Sequence, residues 1–499
     1  MKILFVFPNY APIGGGGIPI GLSILISIAR QKGHEVALFD TSFTLKTYWY
    51  NPFTNLKKSE DDYTYQEERR YFLDELVNAF REYVNNYNPD IICVTANSPT
   101  YNIGIKLIEG IEEKNGSLVV FGGIHPTVCP DEVIQHESVD IICLGEGELA
   151  FPTLLERLAN GEDYTNIQNL WVKKNGYVKK NEIGQLIQPD SIPLGDFSLF
   201  EEKQFYRIFE GKKVRSLRVE MSRGCVFKCS YCSNKEIQVL LDGKGRYFRH
   251  KSVNRGIDEL SFYKDYNKLD MLFFKDEVFL LMPKKWMRQF SQEYKSKIKL
   301  PFFCQSTAKE INEEKVEMLK DMGCVAVAIG VEVGNEKFRK EVLKKHVSNE
   351  QIKRAVYLLV KENIRVTTYF LIGFPHETRD LIFDTIEFQR ELYDLGSCPT
   401  HINCFYPFPG AELTVIAEKE GFLRKKLDHR KNTTTSGLDM PQLSAKEIEG
   451  LYRTYVAYTR VDKWMYPIIE LCETGVGKEI QILSLISQHY SENIYSATS

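Results

Sequence analysis

The feature that most constrains this chain is a strand–helix alternation that runs twice, broken once by a stretch rich in proline and glycine. Up to about residue 165, short apolar runs at 4–8, 35–40, 91–96, from 118 and from 141 alternate with helical patterns at 20–32, 67–86 and 101–114. Strands separated by helices pair in parallel, and a parallel sheet needs cover on both faces. The first run therefore predicts a doubly wound, Rossmann-like sheet. Residues 170–179 predict a hairpin turning at Asn175-Gly176, a pair suited to a two-residue turn. The run QPDSIPLGDF at 188–197 reads as a linker, and the charged, aromatic stretch 41–68 as an excursion from the sheet.

From about residue 213 the alternation restarts, with strands expected at 217–221, 271–275, 301–306, 325–331, 366–372 and 401–405. Six such units make most of a βα barrel without closing it. Ser444 and Glu447 read as a capping box ahead of a helix in the tail. The expected fold is α/β. It comprises a doubly wound parallel sheet over 1–165, a hairpin and linker over 166–212, a partial six-unit βα barrel over 213–425, and a helical C-terminal region over 426–499.

Composition narrows the partners. Net charge is −3, so there is no basic footprint for nucleic acid. The longest apolar run, 20–29, is too short for a membrane span, and no small-residue cleavage site follows the first strand. A soluble, cytoplasmic chain is expected. In that setting eleven cysteines argue for thiols and metal ligands rather than disulfides. Eight are scattered, several within apolar runs where a buried structural thiol is the simpler reading.

The other three, Cys225, Cys229 and Cys232, share one loop as C-x3-C-x2-C directly after a strand. Four thiolates usually hold a cubane four-iron cluster. Three on one loop hold three irons and leave the fourth open to a small chelating molecule. A zinc site uses paired C-x2-C elements totalling four ligands, and no second pair exists here. The remaining alternative is a three-thiol loop with no ligand role.

With Tyr231 before the last cysteine, this loop resembles the signature of the radical S-adenosylmethionine enzymes. The likeness extends along the second half. Phe274-Lys275-Asp276-Glu277 resembles the stretch that contacts the methionine amino group. Gly330-Val331-Glu332-Val333-Gly334-Asn335 resembles the G-x-E-x-G-S stretch near the ribose, with Asn335 in place of serine. Gly373-Phe374-Pro375-His376-Glu377-Thr378 resembles the G-x-P-G-E-T adenine-side motif, with His376 in place of its second glycine. Each follows the C-terminal end of an expected strand, the face on which barrel active sites are built. The resemblance implies a 4Fe-4S cluster on the three cysteines. It also implies S-adenosylmethionine contacts from Tyr231, Asp276, Glu277, Gln305, Glu332, Gly373, Phe374 and Pro375. As bland alternatives, Asp276 and Glu277 are a solvated helix start and 373–375 only a turn.

The first 160 residues carry an ordered set: Pro19-x-Gly21-Leu22, Gly33-His34-Glu35-Val36, Gly122-Gly123-Ile124-His125-Pro126 and Gly145-Glu146-Gly147-Glu148. As a set ahead of the cysteine loop they resemble the cobalamin-binding domain of one radical S-adenosylmethionine subfamily. That implies cofactor contacts from Asn9, Gly15, Gly16, Ser98, Pro99, Gly122, Gly123, His125, Pro126, Gly145, Glu146 and Glu148. The glycine loop 14–17 lacks the following Lys-Ser/Thr of a phosphate loop. No histidine sits in Asp-x-His-x-x-Gly, so none is expected on cobalt through that motif.

The resemblance implies a cobalamin-dependent enzyme that cleaves S-adenosylmethionine to a 5′-deoxyadenosyl radical and methylates an unactivated carbon of a small-molecule substrate. Flavodoxin or ferredoxin would be its electron donor. A non-methylating cyclase or rearrangement enzyme, and a cobalamin or redox sensor, are the rival readings. Anaerobic reconstitution should load about four irons per chain on the cysteine loop. Replacing Cys225, Cys229 and Cys232 together with alanine should abolish the cluster absorbance, and full iron retention in that variant would refute the assignment.

Overall fold

The computed structural model describes residues 1–9, 17–42, 67–111, 116–209, 211–398, 402–425 and 434–474. The expected excursion at 41–68, like Gly15 and Gly16, lies almost wholly outside the described residues. The chain forms two compact units. Of the described residues, the first takes in those up to Val226 together with Ser233–Phe302, and the second takes in Phe227–Cys232 and those from Phe303 on.

In the first unit the strands are β1 Lys2–Phe7, β2 Glu35–Asp40, β3 Ile91–Thr95, β4 Leu118–Gly122, β5 Ile141–Cys143, β6 Leu170–Lys174 and β7 Tyr177–Lys180. They form one sheet in the order β2-β1-β3-β4-β5-β6-β7. The pairs up to β4–β5 are parallel, and β6 and β7 add antiparallel strands at the edge. Pleating sends alternate side chains to opposite faces. Leu4 and Val6 join the cluster formed with helices Glu67–Tyr87 and Ser98–Glu109, while Phe5, on the other face, packs its ring 5.7 Å from that of Phe151. The sheet is thus doubly wound, as the alternation requires. The expected hairpin is present, with Asn175 at φ 52° and Gly176 at φ 79° forming its turn. Helix Ala150–Asn160 was not anticipated as a separate element.

The first unit continues with β8 Tyr206–Phe209, β9 Lys212–Val219, a short antiparallel pair β10 Ser222–Arg223 and β11 Arg249–His250, and β12 Met271–Phe274. β8 is an antiparallel edge on β9, an addition to the expected strands, and β9 runs parallel to β12. The linker packs closely, with Ile192 and Phe197 both buried and the Gly195 amide donating to the Tyr263 hydroxyl at 2.6 Å.

In the second unit the order is β13 Phe302–Ser306, β14 Cys324–Glu332, β15 Arg365–Ile372 and β16 Ile402–Cys404. β9 and β12 of the first unit and these four strands account for the six barrel strands expected from sequence, with β9–β12, β14–β15 and β15–β16 paired in parallel. Helices Glu313–Asp321, Asn349–Lys361 and Arg379–Asp394 intervene. The tail helix Ala445–Arg460 opens with the expected capping box: Ser444 Oγ accepts from Glu447 N, and the Glu447 side chain accepts from Ser444 N.

One glycine is fixed by its surroundings. Gly123 has φ 105°, and a Cβ there would meet the Ala96 carbonyl oxygen at 2.6 Å. Gly21, in helix Ile20–Gln31, has nothing within 4 Å of that position. Gly123→Ala should therefore cost about 2 kcal/mol or more in urea unfolding, whereas Gly21→Ala should be neutral or stabilise by up to about 1 kcal/mol. Equal effects would refute the local account.

Candidate functional site

The glycine motifs and the Ser98-Pro99 pair of the N-terminal sheet lie at or just beyond strand ends, after β1, β3, β4 and β5. Strand order reverses between β1 and β3, and ligands of doubly wound sheets bind outside the carboxyl ends of strands at such a switch point. After β1, the Asn9 amide donates to Thr41 Oγ1 at 2.6 Å and its side chain to Ser42 Oγ at 2.8 Å. After β3, Asn97 caps the helix that begins at Ser98-Pro99. After β4 and β5, Thr127 ties two turns together, donating to the Gly123 carbonyl at 2.8 Å and accepting from the Gly145 amide at 3.0 Å. Pro126 is buried in the short helix Ile124–Val128. His125 is also buried. Its Nδ1 lies 3.1 Å from Ser98 Oγ, its ring lies against Tyr101 at 4.2 Å, and its Nε2 faces Glu132 at 3.8 Å.

The acidic pair of the Gly145-Glu146-Gly147-Glu148 turn has a different immediate task. Glu146 makes a two-pronged contact with Arg249, Nη2 to Oε1 at 2.7 Å and Nη1 to Oε2 at 3.0 Å, and accepts from the Ile187 amide at 3.0 Å. Arg223, two residues before Cys225, reaches Glu148 at 2.7 Å, Glu220 at 2.8 Å and Glu146 at 3.4 Å. Burial by itself would raise the Glu146 carboxyl, but Arg249 and Arg223 hold it below the usual carboxylate range. Burial likewise disfavours the Arg223 charge, and Glu220 and Glu148 more than restore it. The strand leading into the cysteine loop is thereby locked to the end of β5.

Asp276 braces the same strand. Its Oδ1 accepts from Ser222 N and Ser222 Oγ, each at 2.6 Å, and from Met221 N at 3.0 Å. Burial lifts its carboxyl to about 7, with the Ser222 hydroxyl and Met221 amide pulling against that rise. Its neighbour Glu277 is exposed. Cys225 follows Gly224, which has φ 89° and the Tyr247 carbonyl close to where a Cβ would stand, and the Cys225 carbonyl accepts from Asn234 Nδ2 at 3.1 Å. All eleven cysteines lie among the described residues, and none is in a disulfide. Cys225 and Cys229 are half-buried and Cys232 is exposed, which suits donors to an inorganic cluster.

In the second unit, Cys229 and Cys232 lie on a turn closed by Cys232 N donating to Cys229 O at 3.2 Å. Ser230 anchors it: its amide and hydroxyl donate to the carbonyls of Leu343 at 3.1 Å and Val342 at 2.6 Å, and its carbonyl accepts from Leu413 N at 2.9 Å. Tyr231 donates to Glu332 Oε1 at 3.0 Å, and Lys345 pairs with the same oxygen at 2.7 Å. Glu332 has φ 72°, and a register shift between Gly330 and Glu332 marks the end of β14. A left-handed non-glycine residue costs about 1–2 kcal/mol, so the ion pair fixes Glu332 against strain. Gly334 is required because a Cβ there would collide with the Asp384 carbonyl. Gln305 is half-buried on β13.

The Gly373-Phe374-Pro375 turn is closed by Glu377, whose Oε2 accepts from Gly373 N at 2.5 Å and Phe374 N at 3.1 Å. His376 has φ 65°, the left-handed conformation that explains why glycine suits that place in the motif. The Phe374 ring lies 5.8 Å from Tyr231 and 5.0 Å from Phe405, joining this turn to the cysteine turn.

Two family models match the chain in order: the B12 binding domain over residues 62–155 and the Radical SAM superfamily over residues 219–388. An uncharacterized methyltransferase of Pyrococcus horikoshii is 27% identical over 471 residues, covering 92% of both chains. The anaerobic magnesium-protoporphyrin IX monomethyl ester cyclase of Rubrivivax gelatinosus is 22% identical, covering 78% of this chain and 66% of its own length. Among solved structures, the radical S-adenosylmethionine methyltransferase TsrM of Kitasatospora setae, with cobalamin and a [4Fe-4S] cluster bound, superposes with a TM-score of 0.64. It has 16% identity and covers 99% of each chain. With both domains present in that order, the chain belongs to the radical S-adenosylmethionine enzymes that carry a cobalamin-binding domain.

Sequence reasoning missed Glu220, Arg223, Arg249 and Lys345, which hold the motif residues in place. Only the Arg223-Gly224 pair abutting Cys225 offered a signal. Glu377 offers a test of this geometry. Burial raises its carboxyl to about 8, so the protonated form favours the folded state. Its stabilising contribution is complete below about pH 4.5 and declines as pH rises through about 8. Glu377→Gln keeps the acceptor for both amides and should flatten the loss of stability measured by urea unfolding between pH 5 and 8. An unchanged slope would show that Glu377 does not carry it.

Proposed function

We propose that this chain is a methyltransferase acting on an unactivated carbon of a small-molecule substrate, with a 4Fe-4S cluster, S-adenosylmethionine and cobalamin as its cofactors. The observation that carries the reading is the lock between Arg223 and the carboxylates of Glu146 and Glu148, which joins the cysteine loop to the glycine-turn end of the sheet. A radical centre and a methyl carrier must work on one substrate, and such a lock holds their two platforms in register. The relatives named above as methyltransferases support methyl transfer.

When bound, these cofactors supply hydrogen-atom abstraction and methyl carriage; the protein binds, orients and shields them. Cys225, Cys229 and Cys232 offer the thiolates, and the Tyr231–Glu332–Lys345 contact sets the cysteine turn. Glu277 presents a carboxylate to the methionine amino group, while Asp276 beside it shapes the strand end. Gln305 and Glu332 belong with the methionine and ribose, and Gly373, Phe374 and Pro375 with the adenine. Asn9, Ser98, Pro99, Gly122, Gly123, Pro126 and Gly145 edge the cobalamin. His125, oriented by Ser98, borders the cofactor and does not ligate cobalt through the Asp-x-His-x-x-Gly motif, which the sequence lacks. We assign residues 1–165 to the cobalamin domain, 166–212 to the hairpin and linker, 213–425 to the barrel and 426–499 to the C-terminal region.

Among the described residues no helix is long and apolar enough to cross a membrane. A cytoplasmic enzyme served by flavodoxin or ferredoxin, and independent of nucleic acid, completes the proposal. The cyclase among the relatives supports a second reading, ring formation without methylation. The two differ in by-products. Methyl transfer with the true substrate should release S-adenosylhomocysteine and 5′-deoxyadenosine in a ratio near one. Release of 5′-deoxyadenosine alone with an unmethylated product would establish the second reading instead.

A further inference from the structure

His125, Cys129 and Glu132 are spaced by four and then three residues, a spacing that stacks side chains on one face of a helical path. The chain follows that path in two short pieces, helix Ile124–Val128 and helix Pro130–Gln135. They join at Cys129, whose φ of −126° and ψ of 52° interrupt the helix. Cys129 N still donates to the His125 carbonyl at 2.8 Å, and Val133 N to the Cys129 carbonyl at 3.2 Å. The three side chains therefore stay together: a His125 ring nitrogen, the Cys129 sulfur and a Glu132 carboxylate oxygen all lie within 4.8 Å of one another. His125 is only 5% exposed. Ser98 Oγ lies 3.1 Å from its Nδ1 and the Tyr101 ring packs against it at 4.2 Å. Its other nitrogen, Nε2, is buried, faces Glu132 at 3.8 Å, and has no hydrogen-bond partner. A buried nitrogen left without a partner is costly and calls for an explanation such as an ion.

We propose that His125, Cys129 and Glu132 hold a divalent cation of the zinc class, which ties helix Ile124–Val128 to helix Pro130–Gln135. The inference goes beyond methyl transfer and does not depend on it. One imidazole, one thiolate and one carboxylate are ligands that zinc accepts together, and three protein ligands leave its fourth position to water. A thiolate in the set disfavours magnesium and calcium, which prefer oxygen throughout. With Ser98 Oγ accepting from Nδ1, the ring presents its Nε2 lone pair, the orientation that a metal-bound histidine takes from its outer partner. Ligand atoms around a tetrahedral zinc stand about 3.5 Å apart, close to the His125–Glu132 distance, and the exposed Glu132 side chain can move to complete the set. The three residues run from buried His125 through half-buried Cys129 to exposed Glu132, so an ion enters from the Glu132 side. Burial, with Glu132 adding, pushes the Cys129 thiol up to about 11. The ion must therefore displace that proton, which passes to buffer as the sulfur–metal bond forms.

The probe is zinc alone. Holoprotein carrying cluster and cobalamin is incubated with an equimolar amount of zinc chloride and exchanged into metal-free buffer. Zinc K-edge absorption then reads the ligands without interference from iron or cobalt. About one zinc per chain is expected, with one sulfur at about 2.3 Å and nitrogen or oxygen at about 2.0–2.1 Å. Cys129→Ala should lose the sulfur shell and bind zinc at least roughly a hundredfold more weakly, and Glu132→Gln should keep the sulfur and bind roughly tenfold more weakly. If Cys129→Ala does not fold, Cys129→Ser carries the same test, with oxygen replacing sulfur in the spectrum. Failure to retain zinc overturns the proposal, as does unchanged binding in the Cys129 variant. A shell of two or more sulfurs also overturns it, because the zinc would then sit on the cysteine loop. So does zinc held without cobalamin and expelled on loading it, because His125 Nε2 would then serve the cofactor.

Discussion

Much of the first unit depends on a buried lattice of two arginines and three carboxylates. Arg223 and Arg249 sit among Glu146, Glu148 and Glu220, with pair distances of 2.7 to 3.4 Å. A buried charge without partners is expensive, and removing one member of such a set costs about 3–5 kcal/mol because the others are stranded. The lattice is thus less a source of net stability than a device that permits one arrangement. It ties the end of β5 in the N-terminal sheet to the residue pair that precedes Cys225. Lys251 adds a further layer, pairing with Glu259 at 2.7 Å and donating to the Glu220 carbonyl at 2.9 Å.

The same logic recurs wherever a loop must be held at a strand end. Asp276 collects the amides of Met221 and Ser222, Glu377 those of Gly373 and Phe374, and Arg339 the carbonyls of Val333, Gly334 and Val347. Each is an ionisable group buried at the base of a turn and hydrogen-bonded to its backbone. Irregular backbone cannot satisfy its own polar groups, so a turn of fixed shape requires such a partner. The strained residues Glu332 and His376 lie in these turns, where surrounding contacts over-determine the backbone.

This arrangement divides labour among the motif residues. The Glu146 and Glu148 carboxylates are spent on arginines, Asp276 on amides and Glu377 on its own turn. The glycine backbone, the exposed Glu277 and the three thiols are the groups we propose for the cofactors.

The sequence by itself determined the strand–helix alternation, the six barrel strands to within a few residues, the hairpin at Asn175-Gly176 and the capping box at Ser444. These depend on local periodicity and turn chemistry, which a linear chain displays openly. It also displayed the cysteine loop, because three thiols on one loop are set by spacing alone. It could not display the antiparallel edge β8, whose place depends on pairing with β9. Nor could it assign Glu146, Glu148 and Asp276 to bracing. Whether a carboxylate meets a ligand or an arginine is decided by partners up to 103 residues away, and only the folded chain brings them within hydrogen-bonding distance.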